Sequence, residues 1–398
     1  MKIQLAPSNE LSAKIKVLGI GGAGGNAIND MIASQMVGVD FIAANTDAQA
    51  LDKSLAPVKI QLGTNVTRGL GAGGDPEVGK QATREEAERI KQVLAGADMV
   101  FIAAGMGGGT GTGGSPVVAE ISKELGALTV AVVSKPFEFE GKMKRRLADH
   151  GIEELRKVVD TIITIPNDRL FSLSSKNARI RDVFAMANEV LGYAVRGISD
   201  LIMVPGFINV DFADVRTVMK ERGMALMGTG IAGGGTRAAD AAKKAIASPL
   251  LEDISIRGAR GILVNITATP DITMEELKEI CGIVQEEAHE DAIIKWGMVF
   301  DDGLGEEIRV TVIATGIGKR LGAEAPVWIP VAQPQAEQDL DIPTHLRQEL
   351  TRPPEADKNE PARAGLNLGV VGKRNIVHPD LQYEESELDT PTFLRKVD

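Results

Sequence analysis

Two glycine-rich segments hold the residues best suited to chemistry. In the first, Gly21, Gly22, Ala23, Gly24, Gly25 and Asn26 follow a short apolar run and lead into a helix-like pattern. In the second, Gly107, Gly108, Gly109, Thr110, Gly111, Thr112 and Gly113 put five glycines and two threonines into seven positions, again between an apolar run and a helical stretch. Residues without a side chain let backbone N–H groups and a helix N-terminus approach an anion closely, and threonine hydroxyls can donate to phosphate oxygens. Every glycine also raises the entropic cost of ordering a loop, so a merely structural turn gains nothing from so many. Both segments read as phosphate cradles, and the chain has no G-x-x-x-x-G-K-[ST] loop to supply a lysine.

The first segment alone is ambiguous. Gly19, Gly21 and Gly24 fit G-x-G-x-x-G, with Asp40 sixteen residues further on, which would suit a dinucleotide and an oxidoreductase. That reading leaves the second segment unexplained.

A third constellation is acidic. Asp211 and Asp214, with Asn209 just ahead, open a helical pattern in which Phe212, Val215 and Met219 can face inward. Carboxylates three residues apart share one side of the helix and could orient a water molecule. They could equally do no more than complement the positive end of the helix dipole. Cys281 lies in a helical apolar run and reads as a buried core thiol, and the four histidines show no ligand spacing, so no transition-metal site is expected.

The elements around these residues follow from periodicity. Apolar runs at 15–19, 39–44, 99–104, 128–134 and 161–165 alternate with helical stretches at 26–34, 76–95 and 117–125. Continuous apolar strands separated by helices predict a doubly wound parallel sheet, with ligands at the carboxyl ends of the strands, where both glycine segments fall. A proline-free apolar pattern over 180–203 predicts one long linking helix. Helices at 211–222, 236–247 and 273–288, the last opened by a Thr273/Glu276 capping box, and strands at 261–268, 292–300 and 306–314 predict a second, smaller α/β domain with a mixed sheet. Residues 321–386 hold eight of the 18 prolines and read as a disordered linker, after which apolar residues return at 388–398 in what looks like a recognition peptide.

Composition narrows the function classes. The 398 residues carry a net charge of −11 and no dense Lys/Arg block, which argues against nucleic acid as a partner. Residues 1–10 lack a signal-like apolar core, and no apolar run reaches the ~18 residues that span a bilayer. A cytoplasmic protein is expected, touching membrane only through partners and not by direct insertion.

Taken together, the motifs resemble the tubulin superfamily, and within it the bacterial cell-division FtsZ family. The second glycine segment looks like the tubulin-family glycine loop and residues 21–27 like the first FtsZ nucleotide loop. The likeness continues through Asn45-Thr46-Asp47, residues 69–76 and 136–141, Ile165-Pro166-Asn167-Asp168 and residues 209–219. The resemblance implies a GTP/GDP-binding, Mg²⁺-assisted GTPase that polymerises head to tail into a mid-cell division ring. It implies that the two glycine segments hold the phosphates, Glu140 the ribose, and Asn167 and Asn188 the guanine edge. Asp211, Asp214 and Asn209 then act on the nucleotide of the adjacent subunit, and the metal is held mainly through the phosphates. Where the family commonly has arginine four residues after the glutamate, this chain has Lys144, followed by Arg145; lysine keeps the charge and loses the planar fork. A solvated basic helix face is the plainer reading of that pair. Residues 69–75 could respond to the terminal phosphate or simply be a flexible loop.

The implied organisation is a flexible segment 1–13, a GTP-binding domain 14–179, a central helix 180–205, a GTPase-activating domain 206–318, a disordered linker 319–386 and a peptide 387–398. That peptide resembles the family's docking site for membrane-tethering and regulatory division proteins.

Overall fold

Residues 13–170, 178–204, 206–220, 224–248 and 258–317 are described by the computed structural model, and all fall within one compact unit. The expected linker and C-terminal peptide lie outside the described residues.

Six β-rich apolar runs form a parallel array: β1 (Ile15–Ile20), β2 (Val39–Asn45), β3 (Val58–Gln61), β4 (Met99–Gly105), β5 (Leu128–Lys135) and β6 (Thr161–Pro166). Four more, β7 (Met224–Ala232), β8 (Gly261–Ala268), β9 (Ile293–Phe300) and β10 (Ile308–Ile317), extend it. The result is a single sheet in the order β3-β2-β1-β4-β5-β6-β7-β10-β8-β9. Strands β7, β10 and β8 pair antiparallel and β8 with β9 parallel, the mixed arrangement expected of the second half. The two halves meet where β6 and β7 share only two residue pairs, Ile162–Met224 and Ile163–Ala225.

The helices are α1 (Gly21–Ala33), α2 (Ala48–Asp52), α3 (Pro76–Glu85), α4 (Ala87–Leu94), α5 (Thr110–Glu124), α6 (Lys142–Val158), α7 (Ile180–Met203), α8 (Phe212–Met219), α9 (Arg237–Ile246) and α10 (Met274–Glu287). The long α7 buries Val183, Ala187, Val190, Leu191, Ala194, Val195, Ile198 and Leu201, the stripe that a 3.6-residue repeat produces. From Ala187 to Leu201 that stripe packs in one core with Val17, Phe101 and Val130 of the parallel half and with Leu263 and Ile313 of the mixed half. One helix thus joins both halves through burial rather than through a linker.

Several elements depart from the periodicity. Helices α1 and α5 begin inside the glycine segments, at Gly21 and Thr110 rather than near 26 and 117. Glycine disfavours helix intrinsically, but here it permits contact: a Cβ on Gly113 would lie 1.8 Å from the Pro76 carbonyl oxygen, so α5 can press directly on α3. The single helix expected over 76–95 breaks at Glu86 into α3 and α4. Strand β7 escapes the pattern because Gly228 and Gly230 interrupt it; added Cβ atoms would meet the Ala245 and Ala241 carbonyl oxygens at 1.9 and 2.1 Å, where α9 lies against the strand. Cys281 is half-buried rather than buried, and burial pushes its thiol upward.

Candidate functional site

Strands β1 and β4 are neighbours, so the turns at their carboxyl ends lie side by side. Each runs straight into a helix whose N-terminus has no side-chain cap: Ile20 precedes α1 and Gly109 precedes α5. Uncapped first-turn N–H groups from two helices, each with a partial positive charge, face one region. The backbone has to turn tightly there. Gly21 sits at φ +72° with a would-be Cβ 3.1 Å from Gly111 N, and Gly107 at φ +100° with a would-be Cβ 2.8 Å from the Lys144 carbonyl oxygen. An L side chain at either position would be both strained and crowded.

Side chains fix the second segment. Thr112 Oγ1 accepts from Gly107 N at 2.8 Å, and the Thr110 hydroxyl lies 2.6 Å from that of the fully buried Thr46. Residues 69–75 brace the same segment: Gly69, Gly71, Gly73 and Gly74 all have positive φ, and a Cβ on Gly109 would lie 2.8 Å from Ala72 Cβ.

Between these segments opens a cavity of about 260 Å³. Gly21, Gly22, Ala23 and Gly107, Gly108, Gly109, Thr110, Gly111 line its floor, while Glu140, Lys144, Asn167 and Asn188 reach it from other elements. Asn167 is 6% exposed, and its Oδ1 has no hydrogen-bond partner among the described residues. A buried acceptor left unmatched beside a cavity is a site that a ligand donor would satisfy. Glu140 Oε1 accepts from Phe137 N at 2.9 Å and its Oε2 from Lys144 Nζ at 3.1 Å. Asn188 Nδ2 donates to Asp30 Oδ2 at 3.0 Å, which leaves its carbonyl oxygen for a ligand.

A floor of glycine backbone under a rim of carboxamides, a carboxylate and an ammonium can take an anionic ligand with polar edges. Residues 14–175 match the Tubulin/FtsZ family, GTPase domain, and residues 223–318 match the FtsZ family, C-terminal domain. The cell division protein FtsZ of Coxiella burnetii is 49% identical over 396 residues, covering 99% of both chains. The FtsZ of Pseudomonas putida is 50% identical over 392 residues, 97% of each chain. The chain belongs to the FtsZ family of the tubulin superfamily. Among solved structures, an empty FtsZ dimer from M. jannaschii superimposes with a TM-score of 0.75 at 44% identity, covering 79% of this chain and 94% of that one.

Within this FtsZ-family chain the residues singled out from sequence fall into three places. Gly24, Gly25, Asn26, Thr112 and Gly113 do not line the cavity. Gly24 serves packing instead, since its Cβ would lie 2.3 Å from the Ala103 carbonyl oxygen, as Gly113 does against α3. Of the adjacent pair Lys144 and Arg145, Lys144 lines the cavity and Arg145 lines a separate surface hollow beside Glu138 and Asp168.

Asn209, Asp211 and Asp214 lie elsewhere. Asn209 Oδ1 accepts from Gly206 N at 2.7 Å, and Asp211 caps α8 by accepting from Asp214 N at 2.7 Å. This loop is fastened to β9, where Ile208 and Met298 form a bridge. Helix α8 contacts the amino-terminal ends of the parallel strands: Arg216 donates to the carbonyl of Gly126 just before β5, and Thr161, the first residue of β6, bonds the Met219 carbonyl. The glycine segments and the acidic pair are thus at opposite ends of the sheet. Parallel strands of 7 and 8 residues separate those ends by on the order of 20 Å.

Sequence reasoning missed Phe184, Met106, Ser134 and Pro136 in the lining. Phe184 was legible in principle, being one helical turn from Asn188 on the same face of α7. Lys295, whose ammonium lies 2.7 Å from Asp214 Oδ1, gave no signal at all.

Proposed function

We propose that this chain binds GTP in the cavity between α1 and α5 and hydrolyses it only after assembling head to tail, the aspartates of one subunit acting on the nucleotide of the next. The observation that carries this reading is the separation just described. A subunit cannot bring Asp211 or Asp214 to its own phosphates across the length of its sheet, whereas a second subunit stacked along that axis can.

In this reading the N–H groups of the two glycine segments hold the phosphates and Thr110 adds a hydroxyl donor. Glu140 accepts from the ribose hydroxyls, with Lys144 holding it in place. Asn167 and Asn188 take the guanine edge, where the buried Asn167 Oδ1 suits the purine's N–H donors, and Phe184 covers the base. Mg²⁺, held through the phosphates, neutralises their charge. Asp211 and Asp214, assisted by Asn209, orient and polarise the attacking water; positioning and electrostatics carry most of a phosphoryl transfer. Exposed apolar side chains support the assembly: Leu70, Phe139 and Met143 near the cavity end, Phe207 and Phe300 beside the acidic loop. Unlike patches at two ends of one molecule generate open filaments rather than closed dimers.

Residues 14–179, 180–205 and 206–318 act as nucleotide-binding, linking and activating parts in this scheme. Residues 388–398 dock the tethering and regulatory division proteins that hold the filament at the mid-cell ring. Light scattering with GTP, GDP or ATP plus Mg²⁺ tests the assembly, which should require GTP. Phosphate release per subunit should rise steeply with protein concentration; a specific activity that stays constant down to dilute monomer would refute activation by assembly.

A further inference from the structure

We infer that Lys295 is a positioning residue for GTP hydrolysis, holding the Asp214 carboxylate so that one of its oxygens faces the neighbouring subunit's nucleotide. The inference rests on the in-trans reading above and adds a cation to it. Lys295 stands on β9, opposite Leu263 of β8, and its Nζ lies 2.7 Å from Asp214 Oδ1, a close ion pair.

Three features give this pair a function beyond fastening two elements. Both side chains are about one-third exposed, and ion pairs at that exposure contribute little to folding. The loop leading into α8 is already held to β9 by backbone: the Ile208–Met298 bridge and the bond from Phe207 N to the Met298 carbonyl, 2.9 Å. The pair also extends a polar chain. Asp214 N donates to Asp211 Oδ1 at 2.7 Å and the Lys295 ammonium pairs with Asp214 Oδ1 at 2.7 Å, so one oxygen of each carboxylate is engaged. Asp214 Oδ2 is the oxygen which this arrangement leaves to accept from water.

The charge matters as much as the geometry. An acidic loop approaching a polyphosphate meets like-charge repulsion, and an ammonium beside one carboxylate reduces it where the next subunit docks. Lys295 thereby assists both the orientation of Asp214 and its close approach to the nucleotide.

The test is a double-mutant cycle on the full-length protein: Lys295→Met, Lys295→Arg, Asp214→Asn, and Asp214→Asn with Lys295→Met. The readouts are GTP affinity of the monomer, and turnover per polymerised subunit at saturating GTP with Mg²⁺. Lys295→Met should lower turnover about tenfold or more at unchanged monomer affinity, Lys295→Arg should restore most of it, and the double variant should be no slower than Asp214→Asn alone. A Lys295→Met protein with wild-type turnover, or losses that simply multiply in the double variant, would overturn the assignment while leaving the aspartates' role intact. Normal turnover by Asp214→Asn would sink the in-trans reading itself, and this inference with it.

Discussion

Gly22 offers the cleanest test of the phosphate cradle, because a Cβ added there meets nothing within 4 Å although the residue lines the cavity. Gly22→Asp should therefore fold normally, helped by a carboxylate at the N-terminus of α1, yet lose nucleotide binding through repulsion of the phosphates. Equilibrium binding of a fluorescent GTP analogue and a thermal melt decide it: retained affinity would move the phosphates elsewhere. Gly109→Glu should lose binding too, but with added crowding against Ala72 and Asp75. A second residue makes stability depend on pH. Burial, reinforced by Asp301, pushes the Asp200 carboxyl from 3.8 up to about 6, against the attraction of Arg196 and Arg309. A carboxyl raised in the folded state stabilises the fold only while protonated, so stability falls as pH rises from about 4 through about 6. Asp200→Asn should remove that loss, with an advantage in urea unfolding that grows from pH 5 to about 1–2 kcal/mol at pH 7.5. A variant less stable than the wild type at pH 7.5 would contradict the sign.

At the scale of elements, the parallel strands and α7 were legible because their burial patterns are pure: β4 is buried almost throughout, and α7 spans Ile180–Met203 as its periodicity predicts. The Thr273/Glu276 capping box likewise marked the start of α10. What stayed illegible depends on contacts between elements. Gly228 and Gly230 in β7, Gly24 in α1 and Gly113 in α5 look like breakers by propensity and act as points of close approach. Gly230→Val makes the contrast measurable. Strand propensity favours valine, yet its Cβ would meet the Ala241 carbonyl oxygen at 2.1 Å and the Ala245 nitrogen at 2.6 Å. The variant should be destabilised by at least about 2 kcal/mol, read as a lower urea midpoint, and an unchanged midpoint would mean that α9 can retreat from the strand. In the candidate site the glycines announced themselves by type, and Asn167 and Asn188 only through the family resemblance. Lys295 gave no signal, because its partner, Asp214, is distant in sequence.

For the whole molecule, the helix that lines the cavity at Phe184 and Asn188 ends at Met203, fifteen residues and about 22 Å beyond Asn188, next to the acidic loop. The cavity and the Asp211/Asp214 pair thus belong to one compact unit but lie at its two ends, and under the proposed hydrolysis in trans a lone subunit is idle. The C-terminal residues 388–398 add a separate expectation. Deleting them should leave GTP hydrolysis and filament formation largely intact while abolishing pull-down of a membrane-tethering division protein, and full partner binding by the truncated chain would place docking in residues 14–317. The most direct test of hydrolysis in trans is to mix two inactive subunits, Gly22→Asp, which keeps its aspartates but cannot hold nucleotide, and Asp214→Asn, which holds nucleotide but lacks the carboxylate. The account predicts negligible phosphate release from each alone and recovered turnover in the mixture, greatest near equal proportions. No recovery at any ratio, in mixtures that sediment together as filaments, would contradict it.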